Sequence, residues 1–197
     1  MNNRILKGTS LVGGIKDRER INNDYYATPA CSVKSLLSIQ QFKGDFLEPC
    51  VGGGHIANII SKHYNNKVIG MDIVDRGYEG TIVDNFLTHD FDRKFDNIIT
   101  NPPFSLAQEF IEKSLSLLND GGICAMFLKI QFLEGRKRKD FFKQFPPKYV
   151  AVFSKRQNPL RNGSEFDEKG KPWSSTMCFA WFVWEKGIIT VPNILWI

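Results

Sequence analysis

The chain has 197 residues, of which 42% are hydrophobic, so its length and composition suit one domain with a sizeable core. Its four cysteines lie far apart and its three histidines form no metal-ligand pattern, which argues against a disulfide framework and against a metal site. The scattered cysteines make the reducing cytoplasm the expected location. No apolar run is long enough to span a membrane and the polar start MNNR does not resemble a signal peptide, so we expect no membrane partner.

The formal net charge is +5, and the positive charge is concentrated in one segment. Residues 129–175 carry 12 Lys/Arg and 5 Asp/Glu, which leaves the remainder of the chain slightly acidic. A basic segment on an acidic body is typical of proteins that bind polyanions, and a solvated surface gives the same composition. Charge alone leaves both interpretations open.

Strand and helix signals alternate along the chain after a polar stretch, residues 1–23, that we expect to be a loose arm. The predicted helices cover residues 32–42, 55–63, 105–118 and 136–145, with Ser32 as an N-cap, a capping box at Ser105 and Gln108, and a stop at residues 119–122. The predicted strands cover residues 45–48, 67–71, 80–83, 95–100, 123–128, 149–153 and 177–184. This order predicts a doubly wound, mostly parallel α/β sheet, and the missing helix between the last two strands indicates one antiparallel strand.

The stretch FLEPCVGGGH places three glycines between a predicted strand and a predicted helix. Glycines allow a tight turn and the close approach of a ligand, and the start of the helix offers free N–H groups. An ordinary turn between a strand and a helix explains the three glycines as well. Glu48 ends this strand, and Asp72 follows the next one. The Asp72 carboxylate is placed to accept hydrogen bonds from two ribose hydroxyls. The spacing does not exclude NAD, but Glu48 would repel a pyrophosphate and suits a cofactor with a positive centre and an amino group, such as S-adenosylmethionine.

The stretch TNPPF, residues 100–104, follows a nearly continuous apolar strand signal. Two prolines fix the backbone, so Asn101 and Pro102 are expected to be stiffly extended with their carbonyls displayed. An ordinary strand end and a rigid segment with a catalytic role both fit this pattern.

EPCVGGG and NPPF, in this order, resemble the cofactor motif and the catalytic motif of the N6-adenine DNA methyltransferases. DYYATP resembles the segment beside the methionine end of the cofactor, VDNFL resembles the segment that holds its adenine, and FAWFVWEKG resembles the end of small phage-type members. The resemblance runs from about residue 24 to the end of the chain. It departs from the family at Gly53, where a polar residue is common, and at Asn85, where aspartate is usual.

The resemblance implies a single domain, residues 1–197, with the Rossmann-like class I methyltransferase fold, in which a seven-stranded sheet has one antiparallel strand. It implies S-adenosylmethionine as cofactor, with one tyrosine ring facing the sulfonium; half-buried packing is the alternative for both rings. Either Asp84 or Asn85 would hold the cofactor adenine, and Cys50 also suits a packing role. The implied cofactor-binding residues are Tyr25, Tyr26, Thr28, Pro29, Glu48, Pro49, Cys50, Gly52, Gly54, Asp72, Ile73, Asp84, Asn85 and Phe86.

The implied catalytic residues are Asn101, Pro102, Pro103 and Phe104. An exocyclic adenine amine is a poor nucleophile because its lone pair is delocalised into the ring. The Asn101 side-chain oxygen and the Pro102 carbonyl would each accept a hydrogen bond from one N–H group of this amine. The stiffness of the prolines would hold both acceptors in place. Phe104 would stack on a base that has been flipped out of the duplex. No metal is required.

The basic segment is the candidate target-recognition region. The cations of residues 134–142 would bind phosphates, and base edges would be read by Arg156, Gln157, Asn158 and Arg161, although a solvated loop is the alternative for each residue. The predicted nucleic-acid-binding residues are Arg136, Lys137, Arg138, Lys139, Lys155, Arg156 and Arg161.

We therefore predict an S-adenosylmethionine-dependent methyltransferase that acts on the N6 amino group of adenine in DNA. Alternatives with the same fold are an RNA adenine-N6, a DNA cytosine-N4 or a protein-glutamine methyltransferase. A non-catalytic nucleic-acid-binding module and an NAD-dependent oxidoreductase are alternatives from other classes. DNA is the expected partner, with RNA as the other polyanion, and both monomer and homodimer stay open.

Overall fold

The computed structural model describes residues 25–197, except for the side chain of Lys137. The predicted arm and Asp24 lie outside the described residues. The helices are α1 (Ala30–Ile39), α2 (Ala57–Tyr64), α3 (Ala107–Leu117) and α4 (Arg136–Gln144). The strands are β1 (Tyr26–Ala27), β2 (Phe46–Glu48), β3 (Val68–Asp72), β4 (Ile82–Val83), β5 (Phe95–Thr100), β6 (Leu118–Lys129), β7 (Tyr149–Val152), β8 (Leu160–Arg161), β9 (Phe179–Glu185) and β10 (Asn193–Trp196).

The main sheet has eight strands in the order β10-β7-β9-β6-β5-β2-β3-β4. All neighbours are parallel except β9, which runs antiparallel to both β6 and β7. The predicted mostly parallel sheet with one antiparallel strand is therefore confirmed. The predicted number of seven strands is wrong, because β10 adds to the sheet edge beside β7. Most of its side chains are exposed, so this short strand lacks the buried pattern that reveals the others.

Helices cover both faces of this sheet, and alternate residues of each central strand enter different cores. In β9, Phe179, Trp181 and Val183 pack in one core with α1 and α2. Ala180, Phe182 and Trp184 pack in the other core with α3 and α4. Burial on both faces explains why the central strands are almost continuously apolar.

The predicted helix ends differ from the structure, and three of the differences concern predicted capping or stop signals. Helix α1 begins at Ala30 after Pro29, and Ser32 is buried within its first turn, where its hydroxyl donates to the Gln157 side chain at 2.8 Å. The predicted capping box before α3 is absent, because a 3-10 turn at 104–106 starts the helix and its Leu106 N–H donates to the Pro103 carbonyl. Residues 119–122 belong to β6, which starts directly after α3.

Strands β2, β3 and β5 are parallel neighbours, so their carboxyl ends meet at one edge of the sheet. Glu48, Asp72 and Thr100 are the last residues of these three strands. The motifs predicted to carry the chemistry therefore converge at this edge. Among residues 25–197, no helix combines the length and the apolar character needed to cross a bilayer.

Candidate active site

A cleft opens at the carboxyl edge of β2, β3 and β5, and it collects most of the predicted site residues. Its lining includes the predicted residues Tyr25, Tyr26, Thr28, Glu48, Pro49, Cys50, Asp72, Ile73, Asn85, Phe86, Asn101, Pro102, Pro103 and Phe104. The predicted residues Pro29, Gly52, Gly54 and Asp84 lie outside this lining. The lining also includes residues that the sequence did not single out, namely Ala27, Val51, His55, Ile56, Leu106 and Phe110.

The Asn101 amide has a fixed orientation in the cleft. Its Nδ2 donates a hydrogen bond of 2.7 Å to the backbone carbonyl of Tyr26. This bond commits the amino end of the amide to the protein, so Oδ1 stays available as an acceptor. Pro102 lines the cleft beside it. The segment therefore offers the Asn101 oxygen as an acceptor, on a backbone that its prolines make stiff.

Phe104 lies at the border between this cleft and a neighbouring hollow that includes Lys129 and Phe132. Its ring is tilted against Phe179 at 5.9 Å, and the Lys129 ammonium lies 4.3 Å from the ring centroid. The ring is half-buried, so part of it stays exposed to a ligand.

Glu48 brings a buried carboxyl group into the cleft. Only 2% of the residue is exposed, and its Oε2 accepts the Ala57 N–H at 2.8 Å at the start of α2. Burial raises the pKa of Glu48 well above its usual value, and the negative charge of Asp72 adds to this rise. A positively charged group in the cleft would relieve that cost, so this site suits a cation.

Asp72 is held at the end of β3 by two backbone N–H groups. Its two oxygens accept from Gly52 at 2.9 Å and from Val74 at 3.2 Å. Each oxygen of an ionised carboxylate has capacity for a further bond, so Asp72 can still accept hydroxyls of a ligand.

The Thr28 hydroxyl is buried without a hydrogen-bond partner among the described residues. The residue is 2% exposed and lines the cleft. A buried hydroxyl that lacks a partner costs about 1–3 kcal/mol, so this orphan group indicates a ligand that completes it. Cys50, in contrast, is half-buried in the cleft wall, and burial of its thiol raises the pKa, which agrees with a packing role.

The two glycines of the turn make room for tyrosine rings. Gly52 has φ +50, and a Cβ atom there would lie 2.4 Å from Cε2 of Tyr25. Gly54 has φ +78, and a Cβ atom there would lie 2.4 Å from Cδ2 of Tyr78. Both positions therefore require glycine for conformation and for space. Neither glycine lines the cleft, so their predicted contact with a cofactor stays a prediction.

The two candidates for the cofactor adenine lie differently with respect to the cleft. The exposed Asp84 carboxylate accepts from His89 Nδ1 at 2.7 Å and from the Asn85 N–H at 2.7 Å, and these bonds lower the pKa of Asp84. Asn85 lines the cleft instead, next to the buried ring of Phe86, which packs on Phe110 at 5.0 Å. The Asn85 side-chain oxygen also accepts the Leu87 N–H at 3.0 Å, so both candidates make hydrogen bonds within the protein, and which of them holds the adenine stays a prediction.

Tyr25 and His55 lie between the glycine turn and the basic segment, where His55 is hydrogen-bonded to the Gly163 backbone. The Tyr25 hydroxyl accepts the Gly53 N–H at 3.0 Å and lies 3.4 Å from Nδ1 of His55, and Arg76 covers the Tyr25 ring at 4.3 Å. Burial lowers the pKa of His55, which favours its neutral form. The sequence assigned His55 to a helix start, and no pattern in it separates this histidine from an ordinary helical residue.

The predicted nucleic-acid-binding residues fall into two groups. The side chains of Arg136, Lys139, Lys155 and Arg156 are exposed. Arg138 covers the Phe132 ring at 3.9 Å and donates to the Phe132 carbonyl at 3.0 Å. Arg161 lies 5.5 Å from the Trp173 ring. The side chain of Lys137 lies outside the described residues.

Gln157 and Asn158, two of the residues predicted to read base edges, make hydrogen bonds within the protein. Gln157 is buried, where its Oε1 accepts from Ser32 and its Nε2 donates to the Lys155 carbonyl at 2.7 Å. The Asn158 side-chain oxygen accepts the Ser175 N–H at 2.9 Å. Both side chains therefore stabilise the conformation of the basic segment. No group of three or more acidic, histidine or cysteine side chains within residues 25–197 is arranged to hold a metal ion.

No protein-family model matches the chain. It is 28% identical over 155 residues to the type II methyltransferase M.CvrRI of Paramecium bursaria Chlorella virus XZ-6E, a match that covers 62% of this chain and 40% of that relative. The chain thus spans less than half the length of this curated relative.

Two solved structures illustrate the likeness in fold. The M protein of the type I restriction enzyme EcoKI is 16% identical, with a TM-score of 0.59 over 85% of this chain and 46% of that one. An S-adenosylmethionine-dependent O-methyltransferase from Thermotoga maritima is 14% identical, with a TM-score of 0.55 over 82% of this chain and 65% of that one. The sequence match supports the predicted resemblance to DNA methyltransferases, and the chain has the class I S-adenosylmethionine-dependent methyltransferase fold.

Proposed function

We propose that this chain is an S-adenosylmethionine-dependent methyltransferase that acts on the N6 amino group of adenine in DNA. The carrying observation is the orientation of Asn101, whose Nδ2 is bonded to the Tyr26 carbonyl and whose Oδ1 is left as an acceptor beside Pro102. Two acceptors on a rigid segment suit an amine with two N–H bonds. The sequence match to a type II methyltransferase supports a DNA substrate.

The cleft residues fit the chemical groups of S-adenosylmethionine. The orphan Thr28 hydroxyl can bond a carboxylate or an amino group, and the buried Glu48 carboxyl attracts positive charge. Asp72 would hold the ribose hydroxyls, and Asn85 with its apolar neighbours Ile73 and Phe86 would hold the adenine. When bound, the cofactor supplies a methyl group on a positively charged sulfur.

The chain's own groups make the amine reactive. Asn101 Oδ1 and the Pro102 carbonyl would each accept one N–H of the target amine, which concentrates its lone pair on nitrogen. Because these acceptors are fixed before the substrate arrives, little reorganisation is needed when positive charge develops on that nitrogen. Phe104 would stack on the flipped base with its exposed ring surface. The exposed cations of the basic segment would bind the phosphates.

The substrate assignment is tested with labelled S-adenosylmethionine and a panel of unmodified double-stranded DNA, single-stranded DNA and RNA. Product nucleosides are separated to identify the modified base. N6-methyladenine from DNA is the expected product. Label in N4-methylcytosine or in RNA would overturn the adenine or the DNA assignment. Cofactor binding without transfer to any nucleic acid would favour a non-catalytic binding module.

Three further assignments belong to this proposal. The whole chain would form one methyltransferase domain, with residues 129–175 as its recognition region. The protein would act in the cytoplasm, as its cysteine spacing predicts. Its place among small phage-type enzymes is a prediction from the resemblance, and the proposal takes no position between monomer and homodimer.

A further inference from the structure

A short ribbon joins the basic segment to the catalytic cleft. Strands β1 and β8 pair antiparallel, with Tyr26 opposite Arg161 and Ala27 opposite Leu160. The Asn162 N–H donates to the Tyr25 carbonyl at 3.3 Å and continues the ladder by one residue. Residues that line the cleft are thus paired with residues of the predicted recognition region.

The geometry of this ribbon determines where the Tyr26 carbonyl points. In an antiparallel pair, residues that exchange hydrogen bonds alternate with residues whose backbone groups point away. Tyr25 uses its carbonyl toward β8, so Tyr26, the next residue, directs its carbonyl to the opposite side. There it accepts Nδ2 of Asn101 at 2.7 Å.

The loop that contains β8 is itself anchored. The Gln157 side chain is buried and accepts from the Ser32 hydroxyl of α1 at 2.8 Å. The Asn158 side chain accepts the Ser175 N–H and ties the two ends of the loop together. Strand β8 therefore occupies a fixed place relative to the main sheet, to which α1 is packed.

We propose that β8 is a positioning element of the catalytic site. It fixes β1, and the Tyr26 carbonyl on β1 then holds the Asn101 amide with Oδ1 toward the substrate. This inference rests on the proposed function and deepens it, because the segment predicted to recognise nucleic acid also sets the geometry of the chemical step. Tyr26 and Leu160 are positioning residues, since neither is required to touch the reacting atoms.

The test compares Leu160→Pro with Leu160→Ala in the full chain. Ala27 and Leu160 form the next hydrogen-bonded pair of the ladder, so proline removes a donor from the ribbon, and alanine removes only side-chain contacts. We expect Leu160→Pro to lower the single-turnover rate of methyl transfer at saturating DNA and cofactor at least about tenfold. Leu160→Ala should stay within about twofold of the wild type. The rates are compared at saturating cofactor, because Tyr25 and Thr28 next to β1 also line the cleft.

A second readout does not depend on activity. The Asn101 side-chain NH₂ resonances, assigned with Asn101→Ser, report the bond to the Tyr26 carbonyl. They should shift in Leu160→Pro and stay in place in Leu160→Ala. If Leu160→Pro does not fold, Gln157→Ala releases the loop from α1 without a change in β8 and should shift the same resonances.

Wild-type transfer rates and unshifted Asn101 resonances in folded Leu160→Pro would overturn the inference. If the ribbon has only a structural role, Leu160→Pro should have a lower melting temperature and an unchanged single-turnover rate, and this result would also overturn the inference. If the wild-type protein methylates no nucleic acid, the proposed function fails, and the resonances alone decide whether the ribbon orients Asn101.

Discussion

The Thr28 hydroxyl is a buried group that the protein alone leaves without a hydrogen-bond partner among its described residues. Thr28→Val keeps the shape of the side chain and removes this hydroxyl. We expect the melting temperature to stay equal or rise, because an unsatisfied buried group is removed. The Kd for S-adenosylmethionine should weaken at least about tenfold, the value of one hydrogen bond to a charged group. Calorimetric titration and thermal unfolding measure the two effects, and an unchanged Kd would exclude Thr28 from the cofactor site.

Glu48 makes cofactor binding depend on pH. Burial raises the pKa of this carboxyl in the free protein, and a bound cation favours the ionised form, so the pKa falls on binding. Affinity for S-adenosylmethionine should therefore rise with pH between the pKa of the complex and the raised pKa of the free protein, and become constant above it. Calorimetric titration across this range measures the profile. In Glu48→Gln the rise should vanish, and a flat wild-type profile would contradict the assignment.

At the scale of elements, the glycine turn is fixed by close packing. Gly121 of β6 provides the control, because it has φ +75 and a Cβ atom there would meet no atom within 4 Å. Gly121→Ala should therefore lower the free energy of unfolding only by the left-handed strain, about 1–2 kcal/mol. Gly52→Ala places its new methyl group too close to the Tyr25 ring, so the decrease in its free energy of unfolding should be clearly larger. Urea unfolding of both variants measures the difference. Equal decreases would show that Tyr25 does not need this space.

Most elements of the sheet were predictable, because the strands that pack on both faces are largely apolar. Strand β5 was predicted with its observed bounds, residues 95–100. The ribbon of β1 and β8 was not predictable, since two-residue strands leave no periodic pattern and their pairing joins segments more than 130 residues apart. The capping box failed for a different reason: the NPPF turn itself starts α3.

At the scale of the whole molecule, the basic segment combines exposed cations with cations that hold the fold together. Lys139→Ala removes an exposed charge of α4, so it should weaken DNA binding. The salt slope, which is the slope of log K against log salt concentration, should become smaller in magnitude by about 0.9 for each phosphate contact that is lost. Arg138→Ala removes a side chain that stacks on Phe132, so it should chiefly reduce stability. DNA titrations at several salt concentrations, with thermal unfolding of both variants, test this division. Equal salt slopes in the wild type and Lys139→Ala would place the nucleic acid elsewhere.

The sequence identified the site because its residues follow successive strands whose carboxyl ends meet. It could not show that Asn85 lines the cleft and Asp84 does not, since the sequence of a turn does not reveal the direction in which each side chain points. It also could not show that Gln157 is buried, because its partner Ser32 lies 125 residues away along the chain. Charge counts treat Arg138 and Lys139 alike, and only packing distinguishes them.

The central claim is that the Asn101 oxygen activates an adenine amine, and single-turnover transfer from labelled S-adenosylmethionine to unmodified double-stranded DNA tests it most directly. The wild type should give N6-methyladenine. Asn101→Ala, which removes one fixed acceptor, should lower the rate about 10²-fold or more at an unchanged cofactor Kd. Wild-type rates in Asn101→Ala, or no transfer to DNA by wild-type protein that binds the cofactor, would contradict the claim.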